Sequence, residues 1–521
     1  MSCLPNEIWK DGKTDMNKWI FVVIIGLLLF GFAERATALE KAAPVQKEGN
    51  SGKQGNSFSF SFDESLSPPL EKAAVQELSL VDRLALRGFW DATAGADLKN
   101  DEPNEHLYDF RNVLKLEGIL NSVRQGVVPT SVPTDKRWQA LVSLQGDYLW
   151  MGPDHSYDDL RLRLHESSFL WATGRYEIKA GKQIIRWGKT DQVSPVDNLN
   201  PQDGRQFILR ELEDRKIPIW MLRGRAFVDK LTFEGVYIPW FEPSLFDYFD
   251  SDWAVYRQVR EDVKDGPLPS VLQSYLLGRR VEQREPAKTL HNSEFGGRVT
   301  ATLSGWDFGL SYLYGWEDAP FFSSFPIKNL QLDGGYSSEN LLDALEGAVL
   351  VDEPIRVEYR RQQIVGAEFE TTAGPVGLRG EAAYFDRVSF LTDELTSVRR
   401  PVLHYVLGVD YSSPSEWYAN LQWSHQIIAG SDARILYFDQ HDTALLAELN
   451  QTFWRGQLKA GIKANFNIGN GSFYLQPEVE LKYFKNIEVT LGANVFEGDD
   501  DSLFGLYNHN DQVFTRFKYF F

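Results

Sequence analysis

Histidines beside acids or a serine are the residues from which this chain could build a hydrolytic site. A nucleophile of that kind needs a histidine base within hydrogen-bond reach, and Asp154-His155, Ser424-His425 and His441-Asp442 are neighbours in the sequence. Neighbours on a strand point to opposite faces, which argues against each dyad. The sequence also lacks a Gly-x-Ser-x-Gly elbow, a His-Glu-x-x-His pair and a phosphate-binding glycine loop. We expect no catalytic residue, no metal site and no cofactor.

A second group of chemically capable residues is the mixture of charges between positions 186 and 220. The segment is rich in Gly, Pro and Asn, which indicates ordered turns. A mixed-charge loop folded into a lumen sets size and charge selectivity, and we predict that role here; the alternative is an outer loop held by its own ion pairs. The candidate constriction residues are Arg186, Lys189, Asp191, Asp197, Asp203, Arg205, Arg210 and Arg215.

The elements that would position these residues are alternating strands. The clearest runs from Trp417 to Ser424, where Trp417, Ala419, Leu421 and Trp423 take one parity and Tyr418, Asn420, Gln422 and Ser424 the other. The stretch 473–483 repeats this pattern, and period-two alternation over several stretches indicates strands. Mean hydropathy is only −0.33 although 13% of residues are aromatic, a combination typical of a transmembrane barrel.

The lengths of the connections give a second argument for a barrel. Tight turns are expected near 173–174, 229–230, 304–305, 373–375, 412–414, 454–456 and 485–486, and longer gaps at roughly 188–217, 241–291, 317–357, 387–401, 429–440 and 498–510. This alternation predicts a transmembrane antiparallel β-barrel with long extracellular loops and short periplasmic turns. We count about 18 strands, with 16 as the alternative. A soluble β-sandwich or propeller is the competing fold.

The parity of the strands also predicts which side chains face the lumen. Charged residues would be costly against lipid, by about 2–4 kcal/mol for Arg or Lys at mid-bilayer, so we assign them inward. Positive and negative charges are nearly balanced, which predicts weak ion selectivity. The candidate lumen-lining residues are Arg223, Arg225, Glu234, Arg298, Glu368, Arg379, Glu381, Glu478 and Glu480. A network of paired charges that plugs the lumen is the alternative.

The last strand has an aromatic face and a cationic face. Phe517, Tyr519 and Phe521 share one parity, while Arg516 and Lys518 take the other. This ending resembles the C-terminal signature of Gram-negative outer-membrane barrels, and we predict that its three aromatic residues act as an assembly signal. The closing strand would present them to lipid.

The N-terminal part predicts export. An apolar run at 19–32 is followed by Ala36-Thr37-Ala38, which is typical of a signal peptide at 1–38, with Met16 as an alternative start. We expect a periplasmic tail at 39–84 and the barrel at 85–521. The one cysteine, Cys3, precedes the expected cleavage site, so disulfides are excluded from the mature chain. The net charge of −19 argues against a nucleic-acid partner.

Three motifs within the charged segment carry a family resemblance. They are Gly181-Lys-Gln-x-x-x-Trp187-Gly188-x-x-Asp191, Asp197-x-Leu-Asn200-Pro201-x-Asp203 and Lys216-Ile-Pro-x-Trp220-Met221. The series resembles that of a Gram-negative outer-membrane family, domain of unknown function 1302, over most of the mature chain. The resemblance implies a barrel and an association with periplasmic exporters of the resistance-nodulation-division type. It implies no substrate and no catalytic residues.

We therefore interpret the chain as a porin-like outer-membrane channel for passive or exporter-coupled passage of small molecules. A barrel hydrolase and a plugged structural or docking barrel are the alternatives. The tail is too short for a plug domain, which argues against a TonB-type transporter. Expected partners are outer-membrane lipid and lipopolysaccharide, the outer-membrane assembly machinery and such an exporter. Both termini are expected in the periplasm of a Gram-negative bacterium.

Overall fold

The computed structural model describes residues 83–98, 107–122, 137–153, 157–266, 268–331, 338–392, 396–430, 434–499 and 501–521. The predicted signal peptide and nearly all of the predicted tail lie outside the described residues. No helix in these ranges is both long enough and apolar enough to cross a bilayer.

Within the described ranges the chain forms 23 strands, four α-helices and three short 3-10 helices. The strands are β1 Leu84–Asp97, β2 Leu107–Asn121, β3 Arg137–Pro153, β4 Tyr157–Ala172, β5 Tyr176–Gln183, β6 Ile219–Val228, β7 Leu231–Ile238, β8 Val281–Arg284, β9 Glu294–Leu303, β10 Trp306–Trp316, β11 Phe321–Ser324, β12 Ile327–Lys328, β13 Val349–Leu350, β14 Ile355–Glu358, β15 Arg361–Ala373, β16 Val376–Leu391, β17 Ser397–Ser412, β18 Trp417–Ile428, β19 His441–Phe453, β20 Leu458–Asn467, β21 Phe473–Leu481, β22 Ile487–Glu497 and β23 Gln512–Phe520. The α-helices are α1 Leu212–Arg215, α2 Arg257–Asp265, α3 Ser270–Leu277 and α4 Ser338–Glu346.

Eighteen of these strands close into one antiparallel barrel. They are β1–β7, β9, β10 and β15–β23; each pairs with its neighbour along the chain, and β23 pairs with β1. The five short strands pair among themselves in the loops. The prediction of about 18 strands is confirmed, and the alternative of 16 is wrong.

The two ends of the barrel differ in the length of their connections. At one end, here called the tight-turn end, β6–β7, β9–β10 and β15–β16 are each joined by two residues. At the other, the long-loop end, the connections include 184–218, 239–293, 317–360, 429–440 and 498–511. The predicted long gap at 387–401 is wrong. Phe390 packs with Val402 and Ile428 in an apolar cluster, which extends both strands and leaves only 392–396 between them.

Side chains alternate between the two faces of the barrel wall. On β18, Leu421 and Trp423 are 48% and 37% exposed, whereas Gln422 between them is fully buried. The same outward parity exposes Leu162 on β4 and Leu310 on β10. A water-facing surface would not leave so many large apolar side chains uncovered, so the outer face suits lipid, as the alternation in the sequence predicted.

The closing seam lies between the first and last strands. Phe521 and Gly88 exchange two backbone hydrogen bonds, of 2.9 and 3.0 Å. A Cβ at Gly88 would lie 2.5 Å from the carbonyl oxygen of Lys115 and 2.7 Å from the Phe521 ring. The ring of Phe517 contacts Trp90 on β1, with centroids 5.6 Å apart. The ring of Phe521 therefore fits beside position 88 only because glycine has no side chain there.

Deletion of Phe521 is expected to lower the yield of folded barrel several-fold. The deletion removes both hydrogen bonds to Gly88 and leaves the seam one residue shorter. The measurement is the fraction of outer-membrane protein that migrates as a compact, heat-modifiable band. Phe484→Ala is the matched control, because this aromatic side chain is also exposed but lies in a tight turn. Normal yield of the truncated barrel would contradict the predicted assembly signal.

Candidate functional site

The connection 184–218, here called the constriction loop, packs against the inner wall of the barrel. Its apolar side chains Ile185, Trp187, Val196 and Leu199 are buried. They form one cluster with apolar wall residues, namely Ile219, Met221, Val236, Ile238, Leu313, Ile364 and Ala383. These wall residues share inward parity with the charged lumen positions. The hydrophobic contact therefore anchors the loop inside the barrel.

One carboxylate of the barrel wall binds the first half of the loop through hydrogen bonds. Glu381 on β16 accepts hydrogen bonds from the backbone N–H groups of Lys189, Thr190 and Val196 and from the hydroxyls of Thr190 and Ser194. Such bonds to a carboxylate are stronger than neutral ones. Because this buried carboxylate accepts five hydrogen bonds from the loop, it fixes the conformation of the loop.

Gly188 is required where the loop passes this carboxylate. Its φ of +95° is strained for residues with a side chain. A Cβ there would also lie 2.3 Å from Oγ of Ser194 and 2.7 Å from Oε1 of Glu381. The glycine in the Trp-Gly motif therefore lets the backbone reach Glu381.

The second half of the loop is anchored on the opposite wall by a buried ion cluster. The guanidinium of Arg205 donates to Asp203, to Asp147 on β3 at 2.8 Å and to Asp159 on β4 at 2.7 Å. Arg111 on β2 donates to the same Asp147 and Asp203. The side chain of Arg205 is only 1% exposed. Two arginines and three aspartates thus join the loop to three strands.

An internal ion pair joins the two arms of the loop. Lys216 and Asp197 are both buried and form a close ion pair, and Asp197 also accepts from the backbone N–H of Trp187 at 3.1 Å. Burial raises the pKa of Asp197 and lowers the pKa of Lys216, while their mutual attraction opposes both shifts. The pair stabilises the returning arm.

The other predicted constriction residues fall into two groups. Arg186 pairs with Glu213, Lys189 with Glu370, and Asp191 with Arg379. The guanidinium groups of Arg210 and Arg215 make no hydrogen bond with the described residues. Burial lowers the pKa of Arg210 to about 10, so it remains charged at neutral pH. The structure thus brings all eight residues into the barrel interior. Arg210 and Arg215 are not hydrogen-bonded there, but Asp214 lies close enough to Arg210, and Glu211 close enough to Arg215, to offset part of their charge.

The predicted lumen-lining residues face inward and are mostly paired. Arg223 pairs with Glu234 at 2.9 Å, Arg298 with Glu368, and Arg379 with Asp410 at 2.6 Å. Arg225 pairs with Glu177, a partner the sequence analysis did not name. Glu478 and Glu480 line open space, and Glu480 also pairs with Lys482 at 3.1 Å. Most of the charged side chains that face inward on β6–β17 are therefore paired, and these ion pairs stabilise the wall and the loop.

Open space remains on the other side of the loop. A cavity of about 400 Å³, here called the β23 cavity, follows the inner face of β23 from Gln512 to Lys518, about 20 Å at roughly 3.3 Å per residue. It is lined by seven acidic and seven basic residues, Asp91, Asp109, Glu211, Asp214, Glu478, Glu480, Glu488, Arg111, Arg210, Lys459, Lys463, Lys482, Arg516 and Lys518. The cavity is polar and electrically balanced.

A second cavity of about 320 Å³ adjoins the first. The two share lining residues Leu209, Arg210, Glu211, Lys463 and Gln476, and an ion pair joins Glu211 on the loop to Lys463 on β20. The ion pair therefore lies where the two cavities meet.

An aromatic cluster lies at the long-loop end beside the β23 cavity. Phe207 of the loop stacks on Tyr507, with ring centroids 4.3 Å apart, and Trp253, Phe496 and Tyr474 pack around them. The hydroxyl of Tyr474 donates to Asn494, which lines the cavity. The cluster therefore borders the β23 cavity at this end.

Several important residues were missing from the sequence prediction. Asp91, Asp109, Arg111, Asp147 and Asp159 on β1–β4 hold or face the loop, but those strands were poorly delimited in the sequence. Apolar residues at inward positions, such as Val236 and Ile238, could have predicted that a loop packs against the wall. A wall that faced only water would not need apolar side chains there.

One serine–histidine contact also escaped the sequence analysis. His404 Nε2 and Ser424 Oγ are 2.9 Å apart across β17 and β18. The adjacent pair Ser424-His425 does not form this contact, as its opposite parity predicted. Within the described chain no carboxylate is hydrogen-bonded to His404. The contact therefore lacks the orienting acid of a hydrolase triad.

A closed barrel with a lipid-facing exterior, a polar interior and an inward loop has the architecture of a porin-like membrane barrel. The chain belongs to the family described as "Protein of unknown function (DUF1302)", whose profile matches residues 165–467. The predicted family is confirmed. None of the curated proteins compared with the chain matches it.

Several solved porins are similar to the chain in structure. Pseudomonas aeruginosa OccK5 (OpdH) is 11% identical with a TM-score of 0.42, covering 85% of this chain and 99% of its own. Salmonella typhi OmpF, solved with daunomycin, is 12% identical with a TM-score of 0.38, covering 86% and 100%. A mutant Rh. blastica porin is 11% identical with a TM-score of 0.35, covering 84% and 100%. At these scores the architecture rests on the strand pairing of the chain itself.

Proposed function

We propose that the protein is an outer-membrane channel through which small polar molecules pass along β23. The observation that carries the proposal is the β23 cavity, which extends about 20 Å beside the constriction loop and keeps charged side chains facing open space. A barrel of 18 strands is wide enough for an aqueous channel. The balanced charge of the cavity favours weak ion selectivity.

The orientation in the membrane follows from the two kinds of connection. Long loops face outward and tight turns face the periplasm in such barrels, so we place both ends of the barrel sequence in the periplasm of a Gram-negative cell. Lipopolysaccharide then surrounds the long-loop end, and the assembly machinery inserts the barrel. A periplasmic exporter of the resistance-nodulation-division type remains our proposed partner at the tight-turn end.

A cysteine placed in the passage should make conductance sensitive to a thiol reagent. Thr490 lines the β23 cavity, and the only natural cysteine precedes the predicted cleavage site. We expect a charged methanethiosulfonate to lower the single-channel current of Thr490→Cys in planar bilayers by about half or more. Leu491→Cys is the matched control, because the next residue points outward and is 59% exposed. Stable openings that the reagent leaves unchanged would place the passage elsewhere.

The ion network favours a second candidate, a plugged structural barrel. The loop is bound to both sides of the barrel by Glu381 and Arg205, and the aromatic cluster packs at the long-loop end. A plugged barrel would show no openings in bilayers under any condition tested. Persistent silence of correctly folded protein would thus refute the channel and support the plug.

A further inference from the structure

The long loops enclose an apolar chamber that the proposed channel does not use. The chamber has a volume of about 680 Å³, within the range of pockets that hold small-molecule ligands. Apolar side chains from three helices line it, including Val263 of α2, Leu276 of α3 and Leu345 of α4. We call it the loop chamber.

The charged side chains that line the loop chamber are Asp247, Asp250, Arg260, Arg279 and Arg280. Arg260 is already bound to Asp250 at 2.6 Å. Asp247 uses one carboxylate oxygen to accept from the backbone N–H groups of Phe249 and Asp250, and its other oxygen is buried without a partner. An anionic group of a ligand would be repelled by Asp247, whereas an apolar body fits the remaining surface.

Two adjacent arginines mark the mouth of the chamber. Arg279 and Arg280 line both the apolar chamber and an open polar pocket beside it. Arg280 is exposed and has no hydrogen-bond partner among the described residues. Arg279 is bound to Asp352, whose side chain is 94% exposed, and such a surface pair is weak enough to exchange partners. The pair suits a carboxylate at the mouth.

We propose that the loop chamber binds an amphipathic organic acid, with its apolar body inside and its carboxylate against Arg279 and Arg280. This places a capture site for such molecules on the outer side of the channel and so rests on the proposed function for its role in transport. Binding itself needs no conduction.

Equilibrium binding to the barrel in phosphatidylcholine nanodiscs without lipopolysaccharide tests the chamber. The probe is dansyl-aminoundecanoic acid, whose fluorescence rises in apolar surroundings. We expect saturable binding above that of empty nanodiscs, and affinity about tenfold weaker in Leu276→Trp, which fills the chamber. Val271→Trp is the control, because Val271 lies on the same helix and is 80% exposed. Binding equal to that of empty nanodiscs, or unchanged by Leu276→Trp, would overturn the proposal.

The arginine pair is tested with the same probe and its methyl ester. Replacing Arg279 and Arg280 together by alanine should weaken binding of the acid about tenfold, the loss expected for a charged hydrogen bond, and leave the ester unaffected. Arg284→Ala, in the same loop, should change neither. Unchanged affinity for the acid would refute the carboxylate contact. A silent channel that still binds the probe would refute the channel and leave the chamber standing.

Discussion

Arg205→Ala is expected to destabilise the barrel by about 3–5 kcal/mol, the usual cost of leaving buried charges unpaired. The substitution removes all hydrogen bonds that Arg205 donates to Asp147, Asp159 and Asp203. Of the two arginines in the cluster, Arg111 would be left to hydrogen-bond Asp147 and Asp203, both almost completely buried. The measurement is the urea concentration at which the heat-modifiable band is lost.

Two variants show whether this loss comes from the buried network. Arg161→Ala also removes a bond to Asp159, of 2.6 Å, but its side chain is 36% exposed, and we expect about 1 kcal/mol or less. Arg205→Lys keeps the charge but cannot form the forked contacts to several carboxylates, so it should resemble the alanine variant. Equal stability of Arg205→Ala and Arg161→Ala would contradict the role of the cluster.

Glu381→Ala should raise the single-channel conductance several-fold. The substitution removes the acceptor of five loop hydrogen bonds and leaves backbone N–H groups that water must then satisfy. The first half of the constriction loop is expected to leave the wall, which widens the lumen. Conductance and the rate of loop cleavage by added protease would both rise.

The control for Glu381 is its cross-strand partner Glu368. Glu368 is also a buried lumen carboxylate, but its ion pair is with Arg298 on β9 and not with the loop. Glu368→Ala should therefore lower stability without changing conductance. An increase in conductance of the same size in both variants would show that loss of wall charge, rather than release of the loop, is responsible.

The sequence predicted the barrel well because its signal is local. Alternation at Trp417–Ser424 places Gln422 inside and Leu421 outside, as the structure shows, and two-residue turns such as Asp229-Lys230 fix where strands end. The prediction of a long gap at 387–401 was wrong because packing among the loops extends β16 and β17 beyond the barrel wall. Phe390 belongs to a cluster with Ile435 from a different loop, and no local pattern reveals such a contact.

The site was predicted as a set of residues but not as an arrangement. The charges between 186 and 216 marked the loop, yet its main acceptor, Glu381, lies about 190 residues further along the chain. Nothing in the local sequence distinguishes Glu381 from Glu368. The partners Asp147 and Arg111 were missed for the related reason that long-range pairing follows from barrel closure, which only the complete set of strands determines.

The contacts of Arg516 determine when the constriction loop can become fully bound during folding. Its guanidinium binds Asp91 on β1 and Asp214 on the constriction loop, and it lies 302 residues after that aspartate. The loop therefore cannot complete its contacts until the last strand has arrived. Closure of the barrel between β1 and β23 and the last ion pair of the constriction loop therefore depend on the same side chain.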